Sequence, residues 1–355
     1  MKVFSMLTKW VWFTLAASFC LSCHDKTQTH DSATALQSQG LKSSSKNADR
    51  TASETSLQNS QKSERLQSVE SWGYQLQGKN GKPINVDVLA KSDTDLLVID
   101  FESGSGPFDV EQLNVLKKKS DGSKRWVISY LSIGEAENYR FYWSKKWNLR
   151  KPSFVEKVNK DWEGNFKVKY WEKDWQDILF GKAKGPDKSY LDRILDAGFD
   201  GIYLDIVDAF EYFSDKKNKS FRKDAAVKMA ELVIALGQYA RVDKGQSGFV
   251  VIPQNAPNIL EHLDDDMKSK YLDAVDGIGA EDTFHFGNRE MNNRPDTQEY
   301  ALKFLKEFHA AGKKVLSVEY ITKKNYIEKY MTLAKEHGFI PYVGPRALDS
   351  LTTQN

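Results

Sequence analysis

The sequence predicts an α/β fold, a (β/α)8 TIM barrel preceded by a disordered tether. Two observations carry that expectation. Short apolar runs stop abruptly on carboxylates, as in Gly198-Phe199-Asp200-Gly201-Ile202-Tyr203-Leu204-Asp205-Ile206-Val207-Asp208, and the pattern recurs from Leu96 to Asp100, Val127 to Glu135, Ala274 to Glu281 and Val315 to Glu319. Helical stretches separate these runs. Buried parallel strands alternating with helices read in this way, and acids collected at their carboxyl ends face one shared pocket. An open α/β sheet is the alternative architecture.

Trp72 to Leu76 starts the globular part as a short strand. Leu96 to Phe101, bounded by Asp95 and Gly104, is the first strand of the barrel count. Val110 to Lys118 follows as a solvated helix, and Trp126 to Ile133 is the second strand, delivering Gly134-Glu135-Ala136-Glu137-Asn138. The aromatic stretch from Tyr139 to Trp162 has no clean period. A loop of that length is more often functional than idle.

Phe166 to Trp171 is the expected third strand. Tyr190 to Ala197 spaces Leu191, Ile194 and Leu195 for a helix, and Gly198 stands where a helix stops. Gly201 to Val207 is the fourth strand, Phe221 to Tyr239 an amphipathic helix, and Phe249 to Pro253 the fifth strand, delivering Gln254-Asn255. Ala274 to Ala280 is the sixth and delivers Glu281-Asp282. A helix from Leu302 to Ala311, a seventh strand from Lys314 to Glu319, a helix from Tyr326 to Glu336 and an eighth strand from Phe339 to Val343 complete the count.

The amino terminus has a different character. Lys2 and Lys9 precede an apolar stretch, Trp10 to Leu21, followed by Ser22 and Cys23, which reads as a secretory signal with Cys23 resembling a lipidated cysteine. Residues 1–23 are therefore expected to be a lipoprotein-type signal peptide, 24–71 a flexible linker rich in Ser, Gln and Lys, and 72–355 the barrel domain. Export to the cell envelope follows, with a lipid anchor as the membrane contact. No cysteine occurs after Cys23, so the mature domain has no internal disulfide. The chain has 51 Lys and Arg against 49 Asp and Glu, a net charge of +2, which gives no general attraction to nucleic acid. A monomer is expected.

Asp205 closes a fully apolar strand, and an unpaired buried carboxylate costs several kcal/mol, so its presence demands a partner, solvent or a function. Asp208 is expected either to cap the next turn or to line the mouth. Glu281 closes the sixth strand, and in a barrel of this order the fourth and sixth strands bring Asp205 and Glu281 to flank one bond. Two carboxylates around a shared bond are what glycoside cleavage requires. There is no clustered His/Cys set for a metal and no convincing Ser nucleophile beside a His, so neither metal nor cofactor is expected.

Leu97-Val98-Ile99-Asp100, Tyr130 to Glu137, the Gly198 to Asp208 run, Gln254-Asn255 and Gly279-Ala280-Glu281 together resemble glycoside hydrolase family 114, over about Trp72 to Leu348. The resemblance implies a TIM barrel that cleaves α-1,4-linked galactosamine or N-acetylgalactosamine polymers with retention, as an endo-α-1,4-polygalactosaminidase does. It also implies Asp205 as nucleophile and Glu281 as acid/base, the latter kept protonated by Asp282 or a dry wall. Asp100, Tyr130, Glu135, Asp208, Asn255 and Glu319 would line the sugar subsites. The aromatic insertion from Tyr139 and the segment Asp264 to Tyr271 do not match the family pattern. The competing expectation is a surface carbohydrate-binding barrel that has lost turnover.

Overall fold

The computed structural model describes residues 66–181 and 188–352. Its core is an α/β TIM barrel of eight parallel strands. In chain order these are β1 (Trp72–Gln75), β2 (Leu96–Ile99) and β3 (Trp126–Ser132), then, after three short strands β4 (Glu135–Glu137), β5 (Val155–Val158) and β6 (Asn165–Val168), β7 (Gly201–Asp205), β8 (Val250–Pro253), β9 (Gly277–Glu281), β10 (Lys314–Glu319) and β11 (Ile340–Val343). β1-β2-β3-β7-β8 pair in that order, as do β9-β10-β11. Asn255 N donates to Gly279 O at 2.8 Å and Asp276 N to Val251 O at 2.9 Å, joining β8 to β9. Across the remaining seam the Trp72 indole donates to Ile340 O at 3.0 Å.

Strand side chains alternate between two cores, as the two-residue period of a strand requires. Leu96 and Val98, Ile128 and Tyr130, Tyr203, Val250 and Ile252, Leu316 and Val318, and Ile340 and Tyr342 fill the barrel. Leu97 and Ile99, Val127 and Leu131, Ile202 and Leu204, Ile278 and Ala280 pack outward against the helices. This parity decides which strand-end residue looks into the mouth.

The expected third strand is not in the barrel. β6 pairs antiparallel with both β4 and β5, forming a small sheet in the order β4-β6-β5 beyond the carboxyl end of β3. Phe166-Lys167-Val168-Lys169 alternates apolar and charged residues, which suits a strand with one wet face, whereas a barrel strand is enclosed on both. Trp72–Gln75, all four residues buried, takes the vacated place as the first barrel strand. Asp205 and Glu281 consequently still stand on the fourth and sixth barrel strands.

The folded region also starts before Trp72. Leu66 and Val69 are buried in the inner cluster, and Lys314 Nζ donates to Gln67 O at 3.0 Å. Asp264 to Tyr271, unmatched in the sequence reading, begins a helix (Asp265–Ala274) whose amino end is capped by the Asp264 carboxylate accepting from Met267 N at 2.8 Å. The long helix runs Ala225–Gln238, later than the expected start at Phe221. The signal segment, Cys23 and the linker up to residue 65 lie outside the described residues.

Candidate active site

Asp205 is the last residue of β7 and Glu281 the last of β9, with β8 between them. Neighbouring strands lie about 4.8 Å apart, so the two backbones are separated by roughly 10 Å and inward side chains can close most of that gap. Both residues have inward parity, two positions beyond Tyr203 and Gly279 respectively, and both are partly exposed. Their charges sense one another: burial raises the Asp205 carboxyl to about 8, and Glu281 adds to the rise.

Each carboxylate has a tyrosine from the strand on its outer flank. Tyr130, in register with Tyr203 on β3, donates its hydroxyl to Asp205 Oδ2 at 2.6 Å. Tyr320, directly after β10, donates to Glu281 Oε1. Asn255, after β8, donates Nδ2 to Glu281 Oε2 at 3.0 Å, while its Oδ1 accepts from Glu281 N at 3.1 Å. The floor beneath the pair is Tyr203, wholly buried and with no hydroxyl partner among the described residues. A Cβ at position 279 would come 1.8 Å from that hydroxyl, so only glycine leaves the tyrosine room.

The chain turns sharply as it leaves these strands. Ile206, Asn255 and Asp282, the residues after Asp205, Gln254 and Glu281, have φ of 60°, 59° and 52°. Left-handed backbone suits Asn and is tolerated by Asp, but in β-branched Ile206 it is strained, at a cost on the order of 1–3 kcal/mol. The Ile206 carbonyl lies 2.2 Å from where a Gly134 Cβ would stand, so the β3 exit must also be glycine.

The other expected subsite residues divide. Asp208 precedes the helix Ala209–Ser214 but makes no capping hydrogen bond, and burial with help from Glu211 pushes its carboxyl up to about 7. Asp100 has inward parity but is occupied: Arg140 grips it bidentately at 2.7 Å on both oxygens, and Glu102 N adds 2.8 Å. Glu135 is fully buried, held by Asn159, Asn165 and Lys167 as a tie within the small sheet. Glu319 is fully buried on the outward side of β10, accepting from Phe284 N at 2.6 Å with His285 Nδ1 3.6 Å from its other oxygen. Asp100, Glu135 and Glu319 are thus each engaged by protein partners.

Sequence reasoning missed Tyr320, Arg140 and Arg346. Arg346 pairs with Asp282 and lies 3.8 Å over the Tyr320 ring, and Asp282 itself is pushed up to about 7 by burial against the opposing pull of Arg346. Parity could have found Tyr320, because Leu316 and Val318 point inward. Nothing in the local sequence marks the two arginines.

The model of the glycoside-hydrolase family GH114 matches residues 51–355. The chain belongs to family GH114. The protein MJ1477 of Methanocaldococcus jannaschii is 35% identical over 300 residues, covering 79% of this chain and 78% of that one. A Deinococcus radiodurans protein is 32% identical over 290 residues, covering 81% of this GH114 chain and 83% of its own length. Among solved structures, the glycoside hydrolase domain of PelA from Pseudomonas aeruginosa shares the fold, with a TM-score of 0.55 at 16% identity over 80% of this chain and 98% of that domain. Membership of GH114 makes the chain a glycoside hydrolase.

Proposed function

We propose that this GH114 domain cleaves α-1,4-linked galactosamine or N-acetylgalactosamine polymers, with Asp205 and Glu281 as the reacting carboxyls and retention at the cut carbon. The carrying observation is the pair itself: two carboxyls on barrel strands separated by one strand, each with its own tyrosine donor, over a tyrosine floor.

In the retaining reaction one carboxylate attacks the anomeric carbon while the other protonates the leaving oxygen, and then withdraws a proton from the water that releases the sugar. We assign attack to Asp205 and proton transfer to Glu281. Burial raises the Asp205 carboxyl to about 8 in the ligand-free site. In this assignment Glu281 supplies the proton to the leaving oxygen and Asp205 must be ionised to attack. Tyr130 favours the ionised Asp205 that attack requires.

Asp208 and Asp282 add acidic groups near the pair, and Glu211 stands beside Asp208. An ammonium on a deacetylated sugar would favour their ionised forms, which supports a cationic amino-sugar polymer as substrate. We further propose that Cys23 carries a lipid that holds the domain at the cell envelope.

The deciding experiment is reducing-end release from fully acetylated, partly acetylated and deacetylated galactosamine polymers by the wild type and by Asp205→Asn. Release that requires Asp205 and rises with free amine content supports the reading. Release undiminished in the variant removes Asp205 as nucleophile, and preference for the fully acetylated polymer removes the charge basis of substrate choice.

A further inference from the structure

We infer that the exposed rings of Tyr139 and Trp162 form a stacking platform for pyranose units of the glycan chain that runs out of the carboxylate pair. The inference rests on the glycosidase reading of that pair. It concerns the aromatic insertion between β4 and β6, which supplies neither reacting carboxyl.

Most rings of the insertion are spent on packing. Trp143 stacks on Phe166 at 4.7 Å between centroids, Trp147 meets Phe154 at 5.5 Å, and Phe154 meets Trp175 at 5.5 Å. Tyr139 and Trp162 are different: they are 58% and 51% exposed, and neither pairs with another aromatic ring among the described residues. Two large rings left to water on one insertion are available to a ligand.

The Tyr139 ring is held in place. Its hydroxyl donates to Glu137 Oε1 at 2.5 Å, and the Arg140 guanidinium stands 5.2 Å from its centroid. Arg140 is itself locked by Glu137 at 2.7 Å and by Asp100. A ring fixed before binding loses little freedom when a ligand covers it, which is what a recognition surface needs.

The Trp162 loop is folded onto Tyr139. Asn138 N donates to Gly164 O at 2.9 Å, and Asn165 N to Trp162 O at 3.2 Å. Gly164 has φ of 93°, and a Cβ there would lie 2.8 Å from Asn138 Oδ1 and 3.6 Å from the Tyr139 ring. Glycine thus permits the close approach of the turn after Trp162 to Tyr139.

A chain of contacts joins this insertion to the active site. β4 leaves β3 through Ser132, Ile133 and Gly134, and β3 carries Tyr130, the donor to Asp205. Glu137, which anchors Tyr139, is near enough to Tyr130 for its charge to disfavour the phenolate. The path Asp205, Tyr130, Glu137, Tyr139 leads from the reacting carboxyl to an exposed aromatic face. A polymer with one bond between Asp205 and Glu281 has further sugar units to place, and the apolar C–H face of a pyranose is the complement of such a ring.

The test is binding of galactosamine and N-acetylgalactosamine oligosaccharides of increasing length to the Asp205→Asn protein by calorimetry and tryptophan fluorescence. Tyr139→Ala and Trp162→Ala, each added to Asp205→Asn, are expected to weaken binding of the longer oligomers by about five- to tenfold. Trp162→Phe, which keeps a ring, is expected to recover most of the loss, separating stacking from misfolding. Leu149→Ala, at a 94% exposed position outside the platform, serves as the control. Equal affinity in the alanine variants overturns the platform even if the wild type releases reducing ends. Length-dependent affinity that the alanine variants lose, without release by the wild type, keeps the platform and overturns the proposed cleavage of galactosamine polymers instead.

Discussion

Tyr130 donates its hydroxyl to Asp205 across 2.6 Å, and this bond opposes the burial that raises the Asp205 carboxyl to about 8. A donor stabilises the ionised carboxylate, so its removal raises the pKa further. Tyr130→Phe is therefore expected to move any limb of the pH–rate profile that reports Asp205 to higher pH, with a lower maximal rate. The profiles of kcat and kcat/KM for the two proteins check this, and a limb that stays in place or moves down refutes the coupling.

If Asp205 and Glu281 act as one unit, each alone is worth most of the chemistry. Asp205→Asn and Glu281→Gln are each expected to lose roughly 10²–10⁴-fold in kcat, and the double variant little more than the worse single. Single-turnover rates on a defined oligosaccharide measure the three losses. Multiplying losses would mean that the carboxyls work independently.

Azide separates the roles within the pair. With the nucleophile shortened in Asp205→Gly, azide can attack from the vacated side and give a glycosyl azide of inverted configuration, whereas Glu281→Gly is expected to give the azide of retained configuration. The anomeric configuration read by NMR decides the order. The opposite pattern exchanges the two assignments and leaves the pair intact.

Much of this site was legible because strands alternate strictly. Leu204 points outward and Asp205 inward, so an acid closing an apolar strand announced itself. The same parity, carried one residue further, distinguishes Glu319, which faces the helices, from Tyr320, which faces the mouth. β6 was misplaced because Phe166-Lys167-Val168-Lys169 was weighed for apolar content and not for period. Arg140 and Arg346 were beyond reach for another reason. Their partners Asp100 and Asp282 lie 40 and 64 residues away in sequence, and such pairings exist only once the barrel closes.

Gly279 gives a prediction about stability. An alanine Cβ would come 1.8 Å from the Tyr203 hydroxyl and 2.4 Å from the ring carbon that bears it. The floor residue must shift, and overpacking of this kind costs about 1–3 kcal/mol. Urea denaturation of Gly279→Ala is expected to show that loss, and adding Tyr203→Phe to recover it only in part, because the ring carbon still collides. Full recovery would mean that the hydroxyl alone sets the limit.

The raised carboxyls also fix how stability changes with pH. An unfolded Asp titrates near about 3.9, while folded Asp205 titrates at about 8, so between those values the folded chain holds a proton that the unfolded chain has lost. Stability from this group therefore falls as pH rises through that window and levels off above it, the reverse of an ion-paired carboxylate. Asp208 and Asp282, each raised to about 7, act in the same direction. Asp205→Asn cannot ionise and escapes its share of the loss. The Tm of the variant is accordingly expected to gain on that of the wild type as pH is raised from about 4 to about 8. Parallel melting curves across that range would mean that Asp205 ionises in the folded protein as easily as in the unfolded chain.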